Sequence, residues 1–185
     1  MRNVRVLIMG LGFILSLTTS VEAQKLIVSK SLVSFFSDGL LEDISAENSK
    51  VQGILNLEDG AFFIRIPMVM FEFESDLMKE HFNENYLESE KFPTATFKGK
   101  LERTFKMGTL KNVDFLVQGQ FVIHGVSQDR SLNVTIVEVK EGLEVKGKFD
   151  VLLEDHNIEI PTIVFQKIAE TIAVEVQLQF IELKK

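Results

Sequence analysis

The sequence predicts an all-β fold, an antiparallel barrel of about eight strands that carries one short helix. Three observations lead to this prediction. Apolar and polar residues alternate with a period of two along most of the chain after Lys25. The links between the alternating runs are short and rich in turn residues. One stretch, residues 75–86, instead repeats its apolar side chains at helical spacing.

The amino-terminal segment has the composition of a secretory signal peptide. Two arginines precede an apolar run over residues 6–17, and Val21-Glu22-Ala23 forms a small-x-Ala cleavage site. The apolar run is short for a membrane span, so we expect cleavage after Ala23 and no stable membrane anchor, with a retained anchor as the alternative. The predicted organisation is a signal peptide over residues 1–23 and one barrel domain over residues 24–185.

Charge and cysteine content exclude several classes of function. The chain has a net charge of −7 and contains no cysteine. Nucleic acids and anionic lipid headgroups attract clustered lysine and arginine, so an acidic chain is not expected to bind either of them. The absence of cysteine excludes thiol catalysis, disulfides and lipidation of Gln24 after cleavage. Core packing alone must therefore hold the domain together.

Nine runs of alternating residues are candidate strands, separated by turn signals such as Asp38-Gly39 and Glu58-Asp59-Gly60. Pro67 lies inside one run and indicates an edge or a bulge there. The candidate strands cover residues 26–36, 40–47, 51–57, 61–73, 94–105, 110–124, 131–140, 143–154 and 172–180. Residues 155–167 break the period, and we expect a loop with a short helical turn lying over one mouth of the barrel.

The predicted helix lies between two strands, with Ser75 as its expected N-cap. Pro93 then forces extended backbone on the residue before it and ends the helical region. Phenylalanines flank this segment on both sides, and two interpretations remain open for them. They either close one barrel end and fasten the helix across it, or they line the mouth of a ligand site. The phenylalanines concerned are Phe62, Phe63, Phe71, Phe73, Phe82, Phe92 and Phe97.

Two later strands show the clearest alternation. Along residues 143–154 the even-numbered positions are mostly charged, whereas the odd-numbered positions are apolar or, at Gly147, lack a side chain. Residues 172–180 repeat the pattern with Glu175, Gln177 and Gln179 on the polar face. One apolar face and one solvent-exposed polar face are typical of antiparallel strands that enclose a core. The inward rows of these two strands carry no charge.

Two segments further resemble a known family signature. Met78-Lys79-Glu80-His81-Phe82 is followed by Phe92-Pro93-Thr94-Ala95-Thr96-Phe97, and then by Gly119-Gln120-Phe121-Val122-Ile123-His124-Gly125-Val126. Together they resemble the YceI-like family of lipocalin-like periplasmic proteins, which are associated with binding polyisoprenoid and related lipid chains. The resemblance covers most of the chain after the leader. It implies a lipocalin-like barrel, a periplasmic location and an apolar ligand class.

No catalytic motif is present. The chain has no Gly-x-Ser-x-Gly elbow, phosphate-binding glycine loop or His-Glu-x-x-His sequence. Its three histidines, His81, His124 and His156, lie on different predicted elements and lack the paired spacing of a zinc site. We expect His81 to pack against the barrel, His124 to bond within its own turn and His156 to lie in a loop. The chain is therefore not expected to be an enzyme or to bind a metal or cofactor.

We expect a periplasmic protein, monomeric or homodimeric, that binds or carries an apolar lipid chain inside the barrel. A barrel of about eight strands is wide enough either to be filled by its own side chains or to hold one slender ligand. The alternative is therefore a structural or protein-interaction β-domain with a side-chain-filled core and no lipid ligand. The residues expected to form an apolar ligand-binding wall are Val145, Phe149, Val151, Val174, Val176 and Leu178.

Overall fold

A computed structural model describes residues 25–39, 43–160 and 168–183. The predicted signal peptide lies outside the described residues, as do residues 40–42 and 161–167 of the predicted strands and loops. The described part of the chain contains ten strands and one α-helix. Their bounds are β1 Lys25–Ser37, β2 Ile44–Asn48, β3 Gln52–Asn56, β4 Ala61–Pro67, β5 Glu72–Phe73, α1 Asp76–His81, β6 Thr94–Leu101, β7 Val113–Ile123, β8 Val126–Val139, β9 Gly142–Leu152 and β10 Thr171–Glu182.

Eight of these strands close into an antiparallel barrel, which confirms the predicted fold class. Seven strands pair in the order β3, β4, β6, β7, β8, β9 and β10. Strand β1 pairs with both β3 and β10 and so closes the barrel. The closing ladder is long, since Leu26 of β1 pairs with Glu182 of β10 and Phe36 pairs with Ala173. Closure leaves no free edge in the barrel wall, which removes the usual site of strand-to-strand aggregation.

Strand β1 divides its second edge between two partners. Its first residues, Lys25–Ile27, pair with β3, whereas Val33–Ser37 pair with β2. Strand β2 in turn pairs with the two-residue β5, so a small β1–β2–β5 flap branches from the barrel at one end. The buried Asn48 joins the flap to the wall, because its Nδ2 donates to the Pro67 carbonyl at 2.8 Å and its Oδ1 accepts from the Lys50 amide at 2.8 Å.

Two predicted strand bounds were wrong. The run over residues 61–73 is not one strand, because β4 ends at Pro67 and a 3₁₀ turn over Met68–Met70 separates it from β5. Proline has no amide hydrogen with which to continue a ladder. Strand β8 begins at Val126 rather than near residue 131, because His124 and Gly125 close a two-residue turn with φ of 51° and 73°.

The helical segment forms where its spacing predicts. Helix α1 continues into a π-helical turn over Phe82–Tyr86, so residues 76–86 are helical throughout. Ser75 has the extended backbone of an N-cap, but its side chain makes no capping hydrogen bond. None of the six α1 residues is fully buried. Helix α1 therefore lies across one end of the barrel, whereas Tyr86 at the end of the following turn is buried in the core.

Two facing glycines allow the backbones of β6 and β7 to approach closely. Gly99 of β6 pairs with Gly119 of β7. Both glycines occupy positions on the inner face of their strands. A β-carbon on Gly119 would lie 2.3 Å from the Lys98 carbonyl oxygen and 2.6 Å from the Gly99 Cα. The two backbones approach each other too closely for any larger residue, as is common at barrel corners.

Candidate functional site

The barrel interior contains two adjoining cavities. The helix-end cavity, with a volume of about 120 Å³, lies between the helical segment and the strand ends next to it. The far cavity, about 100 Å³, lies toward the opposite end. Each exceeds the roughly 10–15 Å³ that one water molecule needs. Residues that line the helix-end cavity include Phe35, Met68, Phe82, Tyr86, Val151 and Val174. Representative walls of the far cavity are Leu55, Phe62, Phe97, Val145, Gly147 and Leu178.

All six residues predicted to form an apolar wall line these cavities. Val151 and Val174 line the helix-end cavity. Val145, Val176 and Leu178 line the far cavity, and Phe149 lines both. Strict alternation along β9 and β10 brings them to the inner face, because neighbouring residues point outward. Whether they contact a ligand stays a prediction.

Four side chains form a partition between the two cavities. They contribute to the walls of both, and two of them are aromatic rings whose centroids lie 6.0 Å apart at a steep angle. The partition consists of Val33, Ile66, Phe121 and Phe149. Phe121 was not predicted as a site residue, although its position in the GQFVIHGV segment and its alternation with buried Val117 indicate an inward side chain. A chain long enough to occupy both cavities must pass these side chains.

An aromatic cluster fastens the helical segment to the barrel. The Phe82 ring lies 5.5 Å from Phe35, 5.5 Å from Phe71 and 5.0 Å from Phe73, measured between ring centroids. All four line the helix-end cavity, so these phenylalanines both hold the helix and line the cavity. Not all of the phenylalanines that we expected at the helix lie there. Phe62 and Phe97 pair at 5.0 Å in the far cavity, and Phe63 is exposed on the outer surface.

His124 and His156 lie side by side near the helix end of the barrel. The Nδ1 atom of His124 is 3.1 Å from the backbone carbonyl oxygen of His156. Because a carbonyl only accepts, His124 carries its proton on Nδ1. The expectation that His124 bonds within its own turn was therefore wrong, since it reaches a turn on a different segment. His156 lies, as expected, in the connection between β9 and β10, in a 3₁₀ turn over Glu154–His156. It is nevertheless fully buried, and its ring centroid lies 5.5 Å from that of Phe121.

Burial dominates the electrostatics of His156 and lowers its pKa from the ordinary value of 6.5. The Val126 backbone acts in the opposite direction, and neither ring nitrogen has a described partner within hydrogen-bond geometry. The ring is therefore neutral in the folded protein and becomes protonated more readily after unfolding. Stability linked to this group is complete above pH 6.5 and is lost as the pH falls from about 6.5 toward the lower folded pKa.

Replacing His156 by leucine tests this linkage. We expect the free energy of unfolding of His156→Leu to match or exceed that of the wild type at pH 8, because a buried group without hydrogen bonds is removed. The advantage of the variant should grow as the pH falls below 6.5. Urea unfolding at a series of pH values measures the difference. Parallel curves for the two proteins would show that His156 does not contribute to the pH dependence.

The histidines do not form a metal site in the described part of the chain. No group of three or more histidine, aspartate or glutamate side chains among the described residues has a metal-binding arrangement. Beside the histidines, Glu88 Oε2 lies 3.9 Å from His124 Nε2. The absence of enzymatic activity stays a prediction. Within the described residues, no helix has the length and apolar character needed to cross a membrane.

Comparisons with known proteins give consistent results. The sequence profile of the YceI-like domain matches residues 25–180. A polyisoprenoid binding domain from Saccharophagus degradans superposes with a TM-score of 0.76 at 12% identity, covering 88% of this chain and 100% of that one. No curated protein matches the sequence.

Two further structures share the fold. BcnA from Burkholderia cenocepacia has a TM-score of 0.66 at 15% identity, covering 80% of this chain and 94% of that one. A YCEI protein from Campylobacter jejuni has a TM-score of 0.53 at 16% identity, covering 71% of this chain and 78% of that one. Similarity at these identities establishes a common barrel architecture.

Proposed function

The chain belongs to the YceI-like domain family, and from that membership and its two cavities we propose that it binds an apolar lipid chain of the polyisoprenoid or fatty-acyl type. The observation that carries the proposal is unfilled space lined by an almost wholly apolar wall. The binding step requires no bond to be made or broken. Its mechanism is desolvation of the chain inside the barrel.

The energetics of transfer favour a hydrocarbon guest. Each CH₂ group that leaves water for an apolar wall stabilises the complex by roughly 0.8 kcal/mol. A polar guest would lose its hydrogen bonds to water without replacement in the far cavity, where the wall offers no polar surface. The same wall therefore attracts a lipid chain and disfavours a sugar or a peptide.

The cavities also count against the alternative of an interaction domain with a filled core. Natural cores pack at about the density of organic crystals, and voids larger than a water molecule are few. Two adjoining cavities of about 120 Å³ and 100 Å³ are several times larger than a water-sized void, and together they resemble a ligand tunnel interrupted by side chains. The fold shared with a polyisoprenoid binding domain supports the same conclusion.

The proposal includes a periplasmic location, reached by means of a signal peptide over residues 1–23 that is cleaved after Ala23. A protein in that compartment could carry a lipid chain through water between membranes. The amino-terminal composition and the family membership support this location. Amino-terminal sequencing of protein recovered from the producing cells would test it, with Gln24 as the expected first residue.

Native mass spectrometry tests the binding itself. We expect protein purified from its own compartment to retain a stoichiometric adduct that extracts into organic solvent as an isoprenoid or acyl lipid. Emptied protein should regain a one-to-one adduct with geranylgeraniol. A clean mass with no uptake of either added prenyl or acyl lipids would contradict the proposal and favour the interaction domain.

A cavity-filling variant localises the guest. Val176 of β10 pairs with Gly147 of β9 and lines the far cavity, so Val176→Phe would place a ring where the wall lacks a side chain. We expect the affinity for geranylgeraniol to fall about tenfold or more, because several buried CH₂ groups are displaced. The control Gln177→Ala changes the exposed neighbour on the same strand and should leave affinity unchanged. Equal affinities in all three proteins would place the guest elsewhere.

A further inference from the structure

The two cavities differ in polarity. The far cavity has a wholly apolar surface, whereas the helix-end cavity exposes a small polar surface. Three described residues with polar side chains line the helix-end cavity, namely Ser37, His81 and Tyr86. The Ser37 hydroxyl already accepts a hydrogen bond from the Ala169 amide at 2.9 Å. Tyr86 and His81 remain as polar groups that could contact a guest.

Tyr86 is a largely buried residue that lines the helix-end cavity, and its hydroxyl has no acceptor among the described residues. The residue is 8% exposed, lies at the end of the π-helical turn, and its hydroxyl makes no hydrogen bond with any described residue. Burial raises the pKa of this phenol, so the hydroxyl keeps its proton and can donate. An acceptor on a bound molecule would give this hydroxyl the hydrogen bond that it lacks within the described protein.

A water molecule beside the Tyr86 hydroxyl would have few other polar partners. A buried water molecule is held by two to four polar partners. The residues around Tyr86 in the helix-end cavity are mainly aliphatic and aromatic, with Phe82, Leu87 and Met68 among them. A ligand that combines a hydrocarbon chain with one acceptor atom satisfies both the hydroxyl and the apolar wall.

Resting on the proposed lipid binding, we propose that the guest is oriented, with one uncharged oxygen acceptor against the Tyr86 hydroxyl and its chain directed past the partition toward the far cavity. An alcohol, amide or carbonyl end group has the required chemistry. A charged end group is disfavoured, because no lysine or arginine is among the described residues that line the helix-end cavity. Tyr86 is thus a specificity-determining residue that selects lipids with a polar end over plain hydrocarbons.

A paired-ligand experiment tests the contact. Hexadecanol and hexadecane, delivered as cyclodextrin complexes, compete with a fluorescent fatty-chain probe for the wild type and for Tyr86→Phe. We expect the wild type to prefer the alcohol, and the preference to shrink roughly 3- to 10-fold in the variant, as loss of one hydrogen bond predicts. Affinity for hexadecane should stay unchanged, because the ring is retained. Comparing the two proteins cancels differences in delivery between the ligands.

A control variant separates a contact from a general disturbance of the cavity. Phe149→Leu alters the apolar partition without removing a polar atom, and it should weaken both ligands while leaving the ratio of their affinities unchanged. Tyr86 also provides a direct signal, because the chain has one tyrosine and no tryptophan. Its emission should change more on binding hexadecanol than on binding hexadecane.

The outcomes distinguish this inference from the proposed function. An alcohol preference that is lost only in Tyr86→Phe supports the inference. An unchanged preference in Tyr86→Phe, with both ligands still bound, overturns the orientation and leaves lipid binding intact. Failure of the wild type to bind either ligand, together with no adduct in native mass spectrometry, overturns both.

Discussion

Gly119→Ala is expected to lower the free energy of unfolding by about 3 kcal/mol or more, at the upper end of what overpacking costs. The reason is that an added β-carbon would lie 2.3 Å from the Lys98 carbonyl oxygen and 2.6 Å from the Gly99 Cα. Both atoms belong to the backbone of the neighbouring strand, so relief requires the β6–β7 ladder to separate. Urea unfolding followed by circular dichroism would measure the loss.

Gly147→Ala is the matched control. It makes the same substitution on the inner face of another barrel strand, where the nearest atom to the added β-carbon is a Val134 methyl carbon at 3.1 Å. That methyl borders the far cavity and has room to move. We expect a change within about 1 kcal/mol in either direction. Equal losses for the two variants would contradict the view that backbone approach at Gly99 and Gly119 shapes this corner.

Asn48→Asp is expected to destabilise the protein by about 3–5 kcal/mol at pH 7. The buried side chain both donates to the Pro67 carbonyl and accepts from the Lys50 amide. A carboxylate can still accept but cannot donate, and its charge would be fully buried without a cation. Burial would raise the pKa of the introduced carboxyl, so its penalty should shrink as the pH falls toward the unfolded value of about 3.9.

Asn56→Asp provides the comparison for this substitution. The Asn56 Oδ1 accepts from the Glu58 amide at 3.0 Å in an exposed turn, and a carboxylate can make the same bond. We expect its effect to stay within about 0.5 kcal/mol. Measuring each variant against the wild type at every pH removes the effect of acid on the rest of the protein. Equal free energies of unfolding for Asn48→Asp and Asn56→Asp would show that the flap does not depend on the hydrogen bonds of Asn48.

Alternation of side chains was sufficient to predict the barrel and the faces of its strands. The charged even-numbered residues of 143–154 can only face water, so the inward row follows without knowledge of any partner strand. The division of β1 between β2 and β3 could not be predicted, because pairing partners far apart in sequence leave no local pattern. The early start of β8 was missed because the two-residue turn needs positive φ at both His124 and Gly125, and non-glycine residues adopt positive φ in only a few per cent of cases.

The candidate site was predictable in part. Inward orientation of residues such as Val145 and Phe149 follows from strand period, but a cavity wall and a filled core have the same pattern in sequence. The distance across the barrel decides between them, and that distance depends on strand number and on the glycine corner. Tyr86 and the Phe121 partition were missed because their roles arise only when separate segments meet.

The segment across the barrel end has a consequence for the kinetics of exchange. Helix α1 buries none of its six residues completely, whereas the β1–β10 ladder closes the barrel wall along most of the length of both strands. We therefore expect amide hydrogens of residues 76–81 to exchange with deuterium through local unfolding, at a free energy well below that of β1 and β10. Access to the interior would then be limited by the opening rate of this segment, and a guest could enter or leave while the eight-stranded wall stays folded.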